Sequence, residues 1–207
     1  MVKCVYSILL GRLERIPSGH PLKFKSKPLL SYALKDMAVR TNRQMLALLG
    51  GDPEFHEPNT EPVPDSLANR AREGFKEVDG CVVPRSFEAI SIWSEKQPRA
   101  NNADNETGFE CGLSKVHLED FVDEDVPLSE LARIGCAYGM YLRQALLDSR
   151  VSGDFRIIVS AQLPDPTLNV GNVCTVRFHK IRPGQTWLDD DLEAYKEEAI
   201  WVFEVRG

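Results

Sequence analysis

At residues 127–149 the sequence reads PLSELARIGCAYGMYLRQALLDS, and at residues 155–162 it reads FRIIVSAQ. Apolar residues recur at steps of three and four in the first stretch, which predicts one long amphipathic helix. The second stretch is short, apolar and rich in β-branched residues, which predicts a buried strand. Gly135 and Gly139 lie one turn apart in the helix, and we expect them to let a neighbouring strand or helix approach closely.

Two further strands are predicted in the C-terminal third, over residues 173–181 and 199–205. Side chains along residues 173–181 point alternately to two faces, one of which carries Arg177 and His179. Short turn sequences separate the strands, so we expect them to pair antiparallel. The predicted fold class is therefore α+β, with an antiparallel C-terminal sheet packed against helices in a single main domain.

The N-terminal half carries weaker patterns. It predicts helices over 29–49 and 66–78, strands over 3–10 and 87–94, and a polar loop over 97–108. We expect Asp79-Gly80 to stop the second of these helices.

The domain organisation is predicted from a stretch rich in proline. Residues 52–64 contain Pro53, Pro58, Pro62 and Pro64, and proline at this density prevents both a helix and a central strand. This loop separates a basic strand–helix unit, residues 1–51, from the main α+β domain, residues 65–207. The sequence leaves open whether the N-terminal unit is part of the same domain.

Charge is unevenly distributed along the 207 residues, whose net charge is −6. Residues 1–50 carry nine basic and two acidic groups, a net charge of +7, whereas residues 51–207 carry sixteen basic and twenty-nine acidic groups, a net charge of −13. An acidic main domain repels nucleic acid and attracts basic proteins. We therefore expect a basic protein partner and no nucleic acid.

The five cysteines are scattered, and no two of them lie within four residues of each other. This spacing is typical of buried, reduced thiols in a cytoplasmic protein and predicts no zinc site. No stretch approaches the ~18 apolar residues of a membrane span. We expect a cytoplasmic protein with no metal, no cofactor and no membrane contact.

Two acidic runs are the candidate partner-binding residues. An acidic run is often only a solvated face, but one of these lies beside two aromatic side chains, which add buried contact area to charge. The candidates are Trp187, Asp189, Asp190, Asp191, Glu193 and Tyr195 in one group and Asp123, Glu124 and Asp125 in the other.

Residues 174–205, CTVRFHKIRPGQTWLDDDLEAYKEEAIWVFEV, resemble the C-terminal part of small bacterial immunity proteins, which neutralise toxins delivered by neighbouring cells. The resemblance implies a cytoplasmic protein that is not an enzyme and that binds a toxin domain tightly. Many such toxins are nucleases with basic clefts, and an acidic partner can occupy a cleft built for phosphates.

Two other functions stay open. An enzyme could place Trp93, Trp187 and Trp201 around a small-molecule pocket, with Cys111 and His117 meeting across a turn as a nucleophile and its base. An accessory protein of a mobile element with a structural role is the third class.

Overall fold

The computed structural model describes residues 38–51, 63–87, 105–164 and 171–207. The predicted strand 3–10 lies outside these residues, as do most of the predicted strand 87–94 and of the proline-rich loop 52–64. In chain order the elements are β1 Val39–Thr41, α1 Arg43–Leu49, α2 Asp65–Arg72, β2 Phe75–Val78, β3 Cys81–Pro84, α3 Glu106–Leu113, β4 Val116–His117, a 3₁₀ turn Leu118–Phe121, α4 Leu128–Asp148, β5 Phe155–Gln162, β6 Val173–Lys180, a 3₁₀ turn Leu192–Ala194 and β7 Glu198–Val205.

The main sheet has five strands in the order β1-β7-β5-β6-β4, and each neighbouring pair is antiparallel. Its three long strands, β5, β6 and β7, are the three that the C-terminal sequence predicts, with bounds that differ by at most one residue. Strands β2 and β3 form a separate hairpin. The predicted α+β class with an antiparallel C-terminal sheet is confirmed.

Helix α4 covers one face of the sheet, called the helix face. It packs against apolar side chains that alternate along β5, β6 and β7, among them Ile157, Val176 and Trp201. A Cβ atom built on Gly135 would lie 2.8 Å from Val159 Cγ1, and one on Gly139 would lie 2.9 Å from Phe203 Cε1. The expectation that these glycines permit a close approach is confirmed, because the sheet leaves no room for a side chain.

Replacing Gly135 by alanine is expected to lower the free energy of unfolding by about 1–2 kcal/mol. Overpacking of a core costs roughly 1–3 kcal/mol, and the higher helix propensity of alanine offsets up to ~1 kcal/mol of this cost. Urea unfolding of the variants Gly135→Ala and Val159→Ala and of the double variant checks this. Without Val159 Cγ1, the Gly135→Ala substitution should lower the free energy of unfolding by about 1 kcal/mol less. If Gly135→Ala raised the free energy of unfolding, the close approach of the sheet would not be the reason for glycine at this position.

The outer edge of β6 is closed mainly by side chains instead of a long strand. The Cys174 N–H donates to Glu119 Oε2 at 3.1 Å, and the Lys180 N–H donates to Glu110 Oε2 at 2.7 Å. Ser114 Oγ accepts from the Phe178 N–H and donates to the Phe178 carbonyl, both at 2.9 Å. Helix α3 and the turn after it therefore complete the hydrogen bonding of an edge that would otherwise offer a template for aggregation.

The predicted helix over 29–49 is confirmed over residues 43–49 and wrong at residues 38–42, while residues 29–37 lie outside the described ranges. Residues 39–41 form β1, which pairs with β7 in the main sheet, and the helix begins only after Asn42. Asn42 has an extended backbone and its side chain accepts the Met45 N–H at 3.1 Å, so it is the N-cap that starts α1. Tertiary pairing with β7 overrides the local helical pattern.

The predicted helix over 66–78 is also wrong in its second half. Helix α2 ends at Arg72, Gly74 has a positive φ of 74°, and β2 follows. Asp79-Gly80, predicted to stop the helix, is the two-residue turn of the β2–β3 hairpin, with positive φ at both residues. Asp-Gly between apolar residues is a strong hairpin signal.

The predicted loop over 97–108 is wrong at its end, where α3 begins at Glu106. Asn105 is the N-cap of this helix, and its side chain accepts the Gly108 N–H at 2.9 Å. Residues 97–104 lie outside the described ranges. Asn105, an asparagine within a polar stretch, is a sequence signal for the start of α3.

Candidate functional site

Residues 181–197, called the strap, join β6 to β7 and cross the sheet face opposite α4, called the strap face. The strap is held by an apolar cluster, because its own buried or partly buried side chains pack on those of the sheet. The residues of this cluster are Leu188, Leu192 and Tyr195 from the strap and Ile158, Ile200 and Val202 from the sheet. The strap is therefore an ordered surface and not a free loop.

A buried ion pair fixes the start of the strap. Arg182 donates from Nη1 to Glu110 Oε2 at 2.7 Å and from Nη2 to Glu110 Oε1 at 2.8 Å. The Glu110 side chain is fully buried, and the same carboxylate accepts the Val82 N–H at 2.6 Å and the Lys180 N–H at 2.7 Å. One carboxylate thus ties together the hairpin, α3, β6 and the strap, with four donors satisfied.

The strap carries six of the residues that the sequence singles out for partner binding. Asp189, Asp190 and Asp191 are exposed, and Glu193 and Tyr195 are partly buried. Trp187 is 40% exposed, a large fraction for so large an apolar side chain. Together these six residues form what we call the acidic strap surface.

Two basic residues near the N-terminal end of the described chain contact this surface. Arg40 Nη1 lies 3.5 Å from Asp190 Oδ1, and Arg43 Nε lies 3.9 Å from Glu193 Oε2. Exposed ion pairs of this kind contribute about 0–1 kcal/mol. These two contacts therefore hold the carboxylates of Asp190 and Glu193 only weakly.

Trp187 is held in place by contacts within the sheet and the strap. The Arg177 guanidinium lies 5.0 Å from the centre of the Trp187 ring and donates to Thr175 Oγ1 at 3.1 Å. Burial lowers the pKa of Arg177, yet arginine stays charged at neutral pH. The cation–π contact with Arg177 fixes the position of the exposed indole.

The second predicted acidic run lies on the other side of the molecule. Asp123, Glu124 and Asp125 are exposed, and the residues that flank them, Val122 and Val126, pack into the core on the helix face. The strap packs on the opposite face. The two acidic runs are therefore held by elements that pack on opposite faces of the sheet.

A cleft of about 300 Å³ lies at the edge of the strap and was not predicted from the sequence. It is lined by Arg156, His179, Ile181, Arg182, Gln185, Thr186, Leu188, Asp189 and Asp190. Arg156 and His179 are cross-strand neighbours on β5 and β6. Only the strand register brings these two residues together, since they are far apart in the sequence.

His179 is the most buried polar residue of this cleft, with 1% exposure. Burial lowers the pKa of its imidazole, and the nearby charges of Arg156 and Arg182 act in the same direction, whereas the hydrogen bond to the Lys180 carbonyl and the charge of Glu110 oppose them. The ring is therefore neutral at physiological pH. The alternation of residues 173–181 placed His179 on the correct face but did not predict its burial.

Cys111 and His117, the candidate nucleophile and base of the alternative enzyme, lie in different surroundings, because Cys111 is fully buried and His117 is partly exposed. Burial, with the charge of Glu110, raises the pKa of Cys111 to about 12, so its thiol stays protonated at neutral pH. His117 Nδ1 lies 2.9 Å from Glu119 Oε1. Trp201 is buried in the core, and Trp93 lies outside the described residues.

The described cysteines, Cys81, Cys111, Cys136 and Cys174, are free and buried. Within the four described ranges, no group of three or more His, Cys, Asp or Glu side chains is placed to hold a metal ion. Over the same ranges, no helix has both the length and the apolar character that crossing a bilayer requires.

Comparison with known protein families places this chain in a family. The model of a family described as "Uncharacterized protein PM0498 family" matches residues 40–206. No curated protein and no solved structure matches the chain. The matched residues run from β1 to the end of β7 and include the whole strap.

Proposed function

The chain belongs to the Uncharacterized protein PM0498 family, and from the geometry of the strap we propose that this member binds a basic protein partner through its acidic strap surface. The partner is a toxin domain, which the protein neutralises without catalysing a reaction. The observation that carries the proposal is the combination of an exposed, ordered indole, Trp187, with three exposed carboxylates, Asp189 to Asp191, on one anchored segment.

Order in the free protein supports this role. Leu188 and Leu192 anchor the strap on the sheet, and Tyr195 Oη accepts the Asp189 N–H at 2.9 Å. Asp191 Oδ1 accepts the Glu193 N–H at 3.0 Å and so starts the 3₁₀ turn of the strap. A surface that is ordered in advance loses little conformational entropy when a partner binds.

The charge of the surface supports a basic partner. Clustered carboxylates speed the diffusional encounter with a positive surface, and an aromatic side chain beside them supplies the apolar contact that holds the complex. The toxin as the partner follows from the likeness of residues 174–205, which contain the whole strap, to immunity proteins. We also propose that the protein acts in the cytoplasm, where its thiols stay reduced.

Charge reversal on the strap is the test of this proposal. In the Asp189→Lys/Asp190→Lys variant we expect association with the protein encoded by the gene immediately upstream, where a toxin would be encoded, to slow on the order of ten-fold or more at low salt. The slowing should shrink toward ~0.5 M salt, because screening shortens the reach of exposed charges. Surface plasmon resonance at several salt concentrations measures both effects.

The matched control reverses the other acidic run, in Asp123→Lys/Asp125→Lys. We expect it to leave the association rate nearly unchanged, because that run lies on the helix side of the sheet. Both variants should keep the unfolding free energy within ~0.5 kcal/mol of the wild type. Equal slowing by the two variants would point to net charge alone, and no binding by the wild type would reject the proposed partner.

A further inference from the structure

The cleft at the edge of the strap holds two polar atoms that lack a partner. His179 Nε2 and Arg156 Nε are both buried, and neither has a hydrogen-bond partner among the described residues. A buried polar group left without a hydrogen-bond partner destabilises the fold. Two such atoms on neighbouring strands, both on residues that line one cleft of about 300 Å³, indicate a place where a ligand supplies the missing bonds.

The hydrogen bond of His179 Nδ1 determines whether the other ring nitrogen, Nε2, donates or accepts a hydrogen bond. Its Nδ1 lies 2.9 Å from the Lys180 carbonyl oxygen, which can only accept, so Nδ1 carries the proton. In the neutral ring Nε2 is then an acceptor. Arg156 Nε–H is a donor. A ligand that satisfies both must therefore donate one hydrogen bond and accept another at closely spaced atoms.

Charges around the cleft nearly cancel. Arg156 Nη2 lies 2.8 Å from Glu204 Oε1, and Arg182 is paired with the carboxylate of Glu110. At the mouth, Asp190 is paired with Arg40. With each guanidinium already facing a carboxylate, the inner end of the cleft favours neither a cation nor an anion, and the carboxylate of Asp189, which has no ion-pair partner among the described residues, is exposed at its mouth.

We infer that this cleft binds a small, uncharged, polyhydroxylated molecule. A single hydroxyl group donates to His179 Nε2 and accepts from Arg156 Nε–H through the same oxygen. Further hydroxyls meet the carboxylates of Asp189 and Asp190 at the mouth, which accept hydrogen bonds. A volume of about 300 Å³ lies at the small end of ligand sites. This inference does not depend on the proposed toxin partner.

Histidine-selective NMR on the full chain tests the inference. Long-range ¹H–¹⁵N spectra of protein labelled with ¹⁵N-histidine, assigned with single His→Gln variants, should show His179 Nε2 without a proton. Titration with D-glucose, myo-inositol and glycerol should give a saturable shift of that Nε2 resonance for at least one of the three. Tetrahydropyran, a ring ether without hydroxyls, should give none at the same concentrations.

The variant Arg156→Lys keeps the positive charge opposite Glu204 but removes the Nε–H donor. We expect it to weaken binding of the polyol about three- to ten-fold, the usual effect of one hydrogen bond. The control Arg150→Lys alters an exposed arginine and should leave binding unchanged.

Several results would overturn the inference. They are a proton on His179 Nε2, saturation by inorganic phosphate or guanidinium instead of a polyol, and the absence of a saturable shift with all three polyols. Equal polyol affinity in Arg156→Lys and the wild type would likewise reject it. Because the toxin partner is absent from this titration, its outcome is independent of the test of the proposed function.

Discussion

Replacing Glu110 by glutamine is expected to lower the free energy of unfolding by about 3–5 kcal/mol, the usual cost of breaking a buried ion pair. The fully buried carboxylate accepts four hydrogen bonds, two of them from Arg182. Glutamine is nearly the same size, but its NH₂ group would face N–H donors and its neutral amide would leave the Arg182 charge without a counter-charge. Urea unfolding followed by circular dichroism measures the loss, and the melting temperature should fall by about 10 °C.

The matched control for this variant is Glu106→Gln on the same helix. Glu106 accepts a single side-chain hydrogen bond, from Gln185 Nε2 at 2.7 Å, and is only partly buried. The backbone N–H of Glu106 itself and, after it, the bond from Gln185 hold the pKa of Glu106 below its usual range. We expect its replacement to cost about 1 kcal/mol or less. If Glu110→Gln cost no more than this control, the role of Glu110 in joining α3, β6, the hairpin and the strap would be rejected.

Asn42→Ala is expected to cost about 3–4 kcal/mol, more than an ordinary helix cap. The buried Asn42 side chain accepts N–H groups from Met45 at 3.1 Å and from Ile200 at 2.9 Å, and donates to the Glu198 carbonyl at 2.7 Å. Alanine leaves these three groups buried without partners. Because the side chain links α1 to β7, its loss should also speed hydrogen exchange in β1 and α1.

Asn105→Ala provides the comparison for Asn42, since Asn105 is the N-cap of α3 but is only partly buried. Its side chain accepts the Gly108 N–H at 2.9 Å, and a cap of this kind is worth about 1 kcal/mol. Equilibrium unfolding of both variants under one set of conditions gives the difference. Equal costs would mean that the contacts of Asn42 with β7 add nothing to its role as a cap.

The sequence predicted correctly the helix and strands that are buried along most of their length. Helix α4 and strands β5 to β7 bury continuous apolar positions, so the period of three to four or of two is visible locally. The two glycines of α4 were also interpreted correctly, because a residue without a side chain in a long helix has few reasons to be there. Exposure of the strap carboxylates follows from the cost of burying charge.

Tertiary structure determined the features that a local sequence pattern does not encode. Residues 39–41 became a strand because β7 offers an unpaired edge, and the second half of the predicted helix 66–78 became β2 because β3 pairs with it. The cleft is the clearest case, since Arg156 and His179 are neighbours only through the register of β5 and β6. The sequence by itself determined which long segments are helix or strand, whereas the meeting of distant polar groups depends on pairing and packing, which leave no periodic signal.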